Sequence, residues 1–150
     1  MIVYRITGKT HADDLSGVGA ALFGGRWNKK GAFVLYTGEN IEIALLEAIV
    51  HIPPLMVPDL VLITLEIPDN SMTEFEINTL PKNWAVYPAP TILSEMAERW
   101  IKEENTIALK VPSCIVQSSH NIILNCKHPD FMKVKRLEQR DFYLDTRLRK

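Results

Sequence analysis

The chain has 150 residues, of which 47% are hydrophobic and 23% charged, and 17 basic against 18 acidic side chains leave a formal net charge of -1. That is the length of one domain with enough apolar material for a sizeable core, and it excludes disordered, collagen-like and coiled-coil chains. The near-neutral balance argues against non-specific nucleic-acid binding as the main task.

In chain order, Ile2 to Ile6 alternates as a strand, followed by a polar, glycine-containing loop from Thr7 to Gly19 and a second glycine cluster at Gly24-Gly25. Ala32 to Tyr36 is a short strand rich in β-formers, and Thr37-Gly38-Glu39-Asn40 turns into a helix over Ile41 to His51 with Asn40 as its N-cap. After Pro53-Pro54, Leu60 to Ile67 predicts a buried, central strand that ends at Pro68-Asp69-Asn70-Ser71. Leu80 to Pro90 reads as irregular. Thr91 caps an amphipathic helix with apolar positions at Ile92, Leu93, Met96, Ala97, Trp100 and Ile101. Ile107 to Val111, Cys114 to Gln117, Asn121 to Leu124 and Lys133 to Leu144 follow as short strands. The class is α+β, a single domain over 1–150. No run approaches the roughly 18 apolar residues of a membrane span, and Met1 to Arg5 enters a strand instead of a basic-then-apolar leader, so a cytoplasmic location is expected.

Several residues are candidates for chemistry. In Gly24-Gly25-Arg26-Trp27-Asn28 the glycines allow close approach to a ligand, an arginine fork suits phosphate or carboxylate, and an aromatic stands beside it; without a ligand this is a flexible turn. Neither a P-loop nor a Gly-x-Gly-x-x-Gly fingerprint is present. The helix Ile41 to His51 is apolar almost all round, so Glu47 in its middle needs a polar cleft or a partner. Glu47 and His51 share a face as an acid/base pair or half a metal site, yet no third ligand is evident, and His51 also suits the helix C-terminus. Ser113 stands at a strand junction without a nucleophile elbow, where it bonds a substrate or simply makes a turn. Cys114 with His120 or His128 is a thiol-nucleophile option against the commoner fate of a buried structural cysteine. Cys114 and Cys126 supply neither a disulfide framework nor zinc-site spacing. Asn121 and Asn125 bracket an apolar strand, where polar side chains usually tie down loops. From Lys127 onward eight Lys/Arg meet four Asp/Glu, which fits a charged edge strand or a contact for an acidic partner or nucleic acid.

Taken in order, Tyr4-Arg5, Gly24-Gly25-Arg26-Trp27-Asn28, Tyr36-Thr37, Ala44-Leu-Leu-Glu-Ala-Ile-Val-His51, Val111-Pro112-Ser113, Asn121-Ile-Ile-Leu-Asn125, His128-Pro129 and Phe142-Tyr-Leu-Asp145-Thr-Arg147-Leu148 resemble the RES domain over essentially the whole chain. The resemblance implies an ADP-ribosyltransferase-like split β-sandwich with a few helices. It also implies a toxin of a type II toxin–antitoxin system that cleaves NAD at the nicotinamide–ribose bond, with NAD as substrate, no cofactor and no metal. It puts the catalytic set on Arg26, Tyr36, Glu47 and Ser113, and contacts to substrate on Arg26, Trp27, Asn28, Tyr36, Ser113 and Asn125. In that reading Arg26 holds a phosphate, Tyr36 orients the nicotinamide, Glu47 stabilises the ribose cation and Ser113 fixes a polar group of the substrate. Water, phosphate and a protein side chain all stay open as acceptors. The implied partners are an antitoxin with an Xre-type helix-turn-helix domain and a second copy of the chain. A binding module that has kept the fold without catalysis is the rival reading.

Overall fold

Runs of alternating or continuously apolar residues form β1 (Ile2–Gly8), β2 (Val34–Gly38), β3 (Leu60–Glu66), β5 (Ala108–Pro112) and β6 (His120–Asn125), while a three-residue β4 (Met72–Glu74) and a mostly charged β7 (Lys135–Phe142) join them. Three helices, α1 (Val18–Phe23), α2 (Ile41–His51) and α3 (Thr91–Glu103), complete the fold in a computed structural model that describes residues 1–53 and 55–148. Pro54, Arg149 and Lys150 lie outside the described residues. Among the described residues no helix is long and apolar enough to cross a membrane.

The strands form one sheet in the order β4-β5-β6-β2-β1-β3-β7, antiparallel except for the β4–β5 pair. Between β2 and β1 the ladder shrinks to one pair, Tyr4 opposite Gly38, and this is the split in the expected α+β fold. Alternation sorts the side chains by face. On one face Ala108, Ile122, Leu124, Leu35, Val3, Val61, Ile63 and Leu65 make a continuous apolar cluster across both halves. On the other face two separate clusters form. Leu109, Val111, Ile123 and Val34 pack with Leu93, Ala97 and Trp100 of α3, whereas Ile6, Leu60 and Leu62 pack with Ala44 of α2. The two helices therefore cover different halves of the same face, and the gap between them lies over the split.

Several expectations change. Residues 18–23, which begin inside the expected loop and run on through residues given no element, form α1, a helix too short for its periodicity to stand out, with Gly17 at its N-cap and Gly24 at its C-cap. The second strand starts at Val34 instead of Ala32 and continues through Thr37-Gly38. β3 is interior but next to last in the sheet, so it is not central. The N-cap position of α3 is Pro90, and Thr91 is the first helical residue without a capping bond. Cys114 to Gln117 is a turn, for a reason given below. β7 is a mostly exposed edge strand, as the charged-edge reading expects, and Lys9–Asp141 and Arg136–Asp13 ion pairs dress it.

Two residues manage the split. The Arg5 guanidinium on β1 donates to the backbone carbonyl of Tyr36 on β2 at 3.0 Å, so a side chain replaces part of the missing ladder. Its buried Nε has no partner among the described residues, and burial pulls this guanidinium below its ordinary pKa. Gly38 lets α2 sit on the sheet, because a Cβ there would come within 2.8 Å of the Ala44 amide nitrogen and 2.9 Å of Ile43 Cγ2. Gly38→Ala is expected to cost about 1–3 kcal/mol through overpacking, read as a melting temperature lowered by several degrees. An unchanged melting temperature would show that α2 does not need this approach.

Candidate active site

Asn40 starts α2 by accepting the Ile43 amide at 2.8 Å, so the helix register is fixed from its first turn. Seven residues later Glu47 projects toward the ends of β5 and β6. There the Asn121 amide donates to Glu47 Oε1 at 2.8 Å and the Ser113 hydroxyl donates to the same oxygen at 3.2 Å. Among the described residues nothing donates to Oε2. The carboxylate is thus held by one oxygen and presents the other. Hydrogen bonds to a charged group are worth about 1.5–3 kcal/mol each, enough to fix one rotamer of a partly exposed side chain.

Ser113 is fully buried, and its Oγ also accepts the amides of Ile115 at 3.1 Å and Val116 at 3.3 Å. Pro112 ends β5, the hydroxyl satisfies two backbone donors of the turn, and the Ser113 amide closes it on the Ser119 carbonyl at 2.9 Å. These bonds make 114–117 a turn instead of a strand. Ser113 is therefore the turn residue of one sequence reading, and its hydroxyl also reaches Glu47.

The glycine segment lies over the neighbouring part of the same face. Gly25 and Asn28 form an isolated bridge, and the Tyr36 hydroxyl on β2 donates to Asn28 Oδ1 at 2.7 Å while accepting the Trp27 amide at 3.1 Å. A Cβ at Gly25 would be 2.8 Å from that hydroxyl, so this glycine is required for the close approach. Asn28 is buried and spends its amide on the carbonyls of Ala20, Lys29 and Ala32. Burial raises the Tyr36 phenol well above its ordinary range; the charge of Arg26 opposes the rise and that of Glu47 adds to it. Tyr36 lies two residues before Gly38, the partner of Asn121, on the same face of β2, and Arg26 directly precedes Trp27, whose amide the Tyr36 hydroxyl accepts.

The structure gives several of these residues local partners. Arg26 donates through its two terminal nitrogens to the carbonyls of Trp84 at 2.7 Å and Val86 at 3.0 Å, so it tethers the irregular 80–90 segment over the site. Trp27 is buried in the core beside Phe75, with ring centroids 6.0 Å apart, and supports the segment from beneath; it offers no open face to a ligand. Asn125 is at the far end of β6 from Asn121, opposite Val34, and accepts the Lys127 amide at 3.1 Å, which is the loop-tying role. Asn121 is the asparagine that reaches Glu47, and strand alternation explains it: Asn121 pairs with Gly38 on the face that α2 covers. His128 uses both ring nitrogens on Glu104 and Asp130, and His120 bonds Glu39, so neither pairs with Cys114. Burial pushes the Cys126 thiol up to about 12. His51 is exposed at the end of α2, and among the described residues no three His, Cys, Asp or Glu side chains gather as a metal site.

A carboxylate with one free oxygen, a tethered arginine and a buried phenol, set over the split of a seven-stranded α+β sheet, define a small single-domain protein with a polar site between its two main helices. The RES domain model matches residues 2–145, and the chain belongs to that family of toxins. Toxin Res of Photorhabdus laumondii is 35% identical over 99% of this chain and 97% of its own length. Prs ADP-ribosylating toxin of Sphingobium sp. is 35% identical over 91% of this chain and 88% of its own. Among solved structures, the crystal structure of the M. tuberculosis MbcT-MbcA toxin-antitoxin complex contains a chain with the same fold, at a TM-score of 0.75 and 17% identity over 94% of this chain and 83% of that one.

Tyr36 generates a pH prediction. Above its ordinary value of 10.0 the unfolded chain loses this proton while the folded chain keeps it, so the unfolded state binds fewer protons and stability falls as pH rises. Denaturant unfolding between about pH 9 and about pH 11 should lose less stability in Tyr36→Phe than in the wild type. Equal slopes would mean that the phenol titrates normally.

Proposed function

We propose that this chain is a toxin that cleaves NAD at the nicotinamide–ribose bond. The observation that carries the reading is the Glu47 carboxylate, with Oε1 held by Ser113 and Asn121 and Oε2 without a donor among the described residues, on the sheet face that carries Tyr36 and, through Trp27, the segment of Arg26. Breaking the bond between ribose C1′ and the pyridinium nitrogen sends the electron pair to nicotinamide, which leaves neutral and needs no acid. Positive charge develops on C1′ and the ring oxygen. A fixed carboxylate stabilises that charge and orients the ribose hydroxyls without reorganising during the reaction. The acceptor oxygen then bonds to C1′ and releases its proton.

Arg26 offers its remaining N–H groups to the pyrophosphate while its other arms hold the 80–90 segment. The Tyr36 ring borders the nicotinamide and its hydroxyl keeps the glycine segment in place. Ser113 and Asn121 act through Glu47. With water as acceptor the products are ADP-ribose, nicotinamide and a proton; with inorganic phosphate the ribose carbon is phosphorylated. A second reading, transfer of ADP-ribose to a protein, is favoured by the name of the Sphingobium relative. An antitoxin partner is supported by the MbcT-MbcA complex. That this antitoxin is of Xre type, that the toxin forms a homodimer and that it works in the cytoplasm belong to the same proposal.

The test is nicotinamide release and growth arrest. Purified wild-type protein incubated with NAD should release nicotinamide, and expression without antitoxin should stop growth. Glu47→Gln should lower the rate by about 10²–10³-fold, the scale for removal of one preorganised electrostatic group, while unfolding at a similar temperature. A fully active Glu47→Gln protein would overturn the assignment; growth arrest with labelled ADP-ribose on a protein would favour transfer over hydrolysis.

A further inference from the structure

On the reverse face of the strand that carries Asn121, the Glu39 and His120 side chains form a partly buried pair. The His120 amide donates to Glu39 Oε1 at 2.8 Å, and ring Nδ1 lies 3.2 Å from each carboxylate oxygen. The Glu39 amide in turn donates to the His120 carbonyl at 3.2 Å. These bonds extend the β2–β6 ladder one step beyond its last pair, Gly38 opposite Asn121, with a carboxylate in place of a strand carbonyl. Glu74 is 4.0 Å from His120 Nε2 and pairs with Lys110 at 3.8 Å, so the charges around the pair are Glu39, Glu74 and Lys110.

The pair's place in the chain gives it leverage. Glu39 immediately precedes Asn40, whose side chain starts α2 and so sets where Glu47 falls. His120 immediately precedes Asn121, which bonds Glu47, and immediately follows Ser119, whose carbonyl holds Ser113. The pair therefore ties the start of the helix that carries the carboxylate to β6, which bears Asn121 itself and is joined to Ser113 through the Ser119 carbonyl. Among the described residues neither Glu39 nor His120 hydrogen-bonds to Glu47, whose partners are Ser113 and Asn121.

We propose that Glu39 and His120 are positioning residues that set the separation between Glu47 and its donors Ser113 and Asn121; the proposal rests on the NAD-cleaving reading for its kinetic consequence but not for its structural one. Misplacing a catalytic group by about 1 Å costs as much as 10²-fold in rate, so a loosened clamp lowers turnover more than substrate binding. Removing the Glu39 side chain loosens the start of α2 relative to β6, with the Glu39 amide to His120 carbonyl bond left in place, and keeps every residue that faces the substrate.

The experiment combines kinetics with a readout that needs no turnover. Glu39→Ala should lower kcat for nicotinamide release about tenfold or more with KM within about twofold, because the interaction acts only on transition-state geometry. Glu39→Gln, which still accepts the His120 amide, should recover part of the loss. Glu39→Ala combined with Asn121→Ala should be little worse than Asn121→Ala alone, since both act through Glu47. In the absence of NAD, the side-chain amide resonance of Asn121 should move in Glu39→Ala and stay in place in Glu138→Gln on the far edge strand. Unaltered kcat, or losses that multiply fully in the double variant, would overturn the proposal, and so would an unmoved Asn121 resonance. A wild type without NAD turnover would instead sink the NAD reading and leave the resonance to decide on the clamp. A Glu39→Ala protein that fails to fold leaves Glu39→Gln to decide by the same readings.

Discussion

The hydrogen bonds from Asn121 and Ser113 to a single oxygen of Glu47 are the constraint on which the site depends, because they join two parts of the sheet that the backbone barely connects. The helix that carries Glu47 packs on β1 and β3, whereas its two donors come from β5 and β6, on the other side of the split at Tyr4 and Gly38. The carboxylate spans that split. Gly38 makes the arrangement possible by letting the helix approach the strand directly beneath it, and Arg5 holds the strands from the opposite face. A break in regular pairing leaves polar groups and space together, which a continuous ladder would have consumed.

Glu47 also accounts for a local conflict. A helix that is apolar nearly all round belongs in a core, and a carboxylate in its middle is unfavourable unless something answers it. Here two neutral donors answer one oxygen, so the charge is oriented without being neutralised. An arginine in their place would make a closed ion pair with no claim on a ligand. The cation of the site, Arg26, is instead occupied by backbone carbonyls of Trp84 and Val86 and acts on the phenol of Tyr36 from a distance. The same guanidinium thus shapes the rim of the site and supplies its positive charge.

Helix α2 and its cap were legible in the sequence because a side-chain cap, a long apolar run and a misplaced carboxylate coincide there. The strong strands were legible for the same local reasons, and the ordered motifs pointed to the family. What the sequence concealed depends on pairing. Asn121 and Asn125 are equivalent in isolation, and only the register against β2, which puts Asn121 beside Gly38 and Asn125 beside Val34, separates the partner of Glu47 from a loop tie. Helix α1 and strand β4 are too short to announce themselves, and the 114–117 turn is fixed by a buried hydroxyl whose two amide partners no periodicity reveals. Trp27 shows the converse: beside an arginine and two glycines it resembles a ligand contact, yet tertiary packing claims it for the core.

The most direct measurement is a crystal structure of the Glu47→Gln variant soaked with NAD. Glutamine keeps the shape of the side chain and slows cleavage, so the intact dinucleotide can be seen. The account predicts the nicotinamide ribose with its hydroxyls within hydrogen-bond distance of residue 47, on the side away from Ser113 and Asn121, and a phosphate near Arg26. A dinucleotide bound with its ribose remote from residue 47 would contradict it.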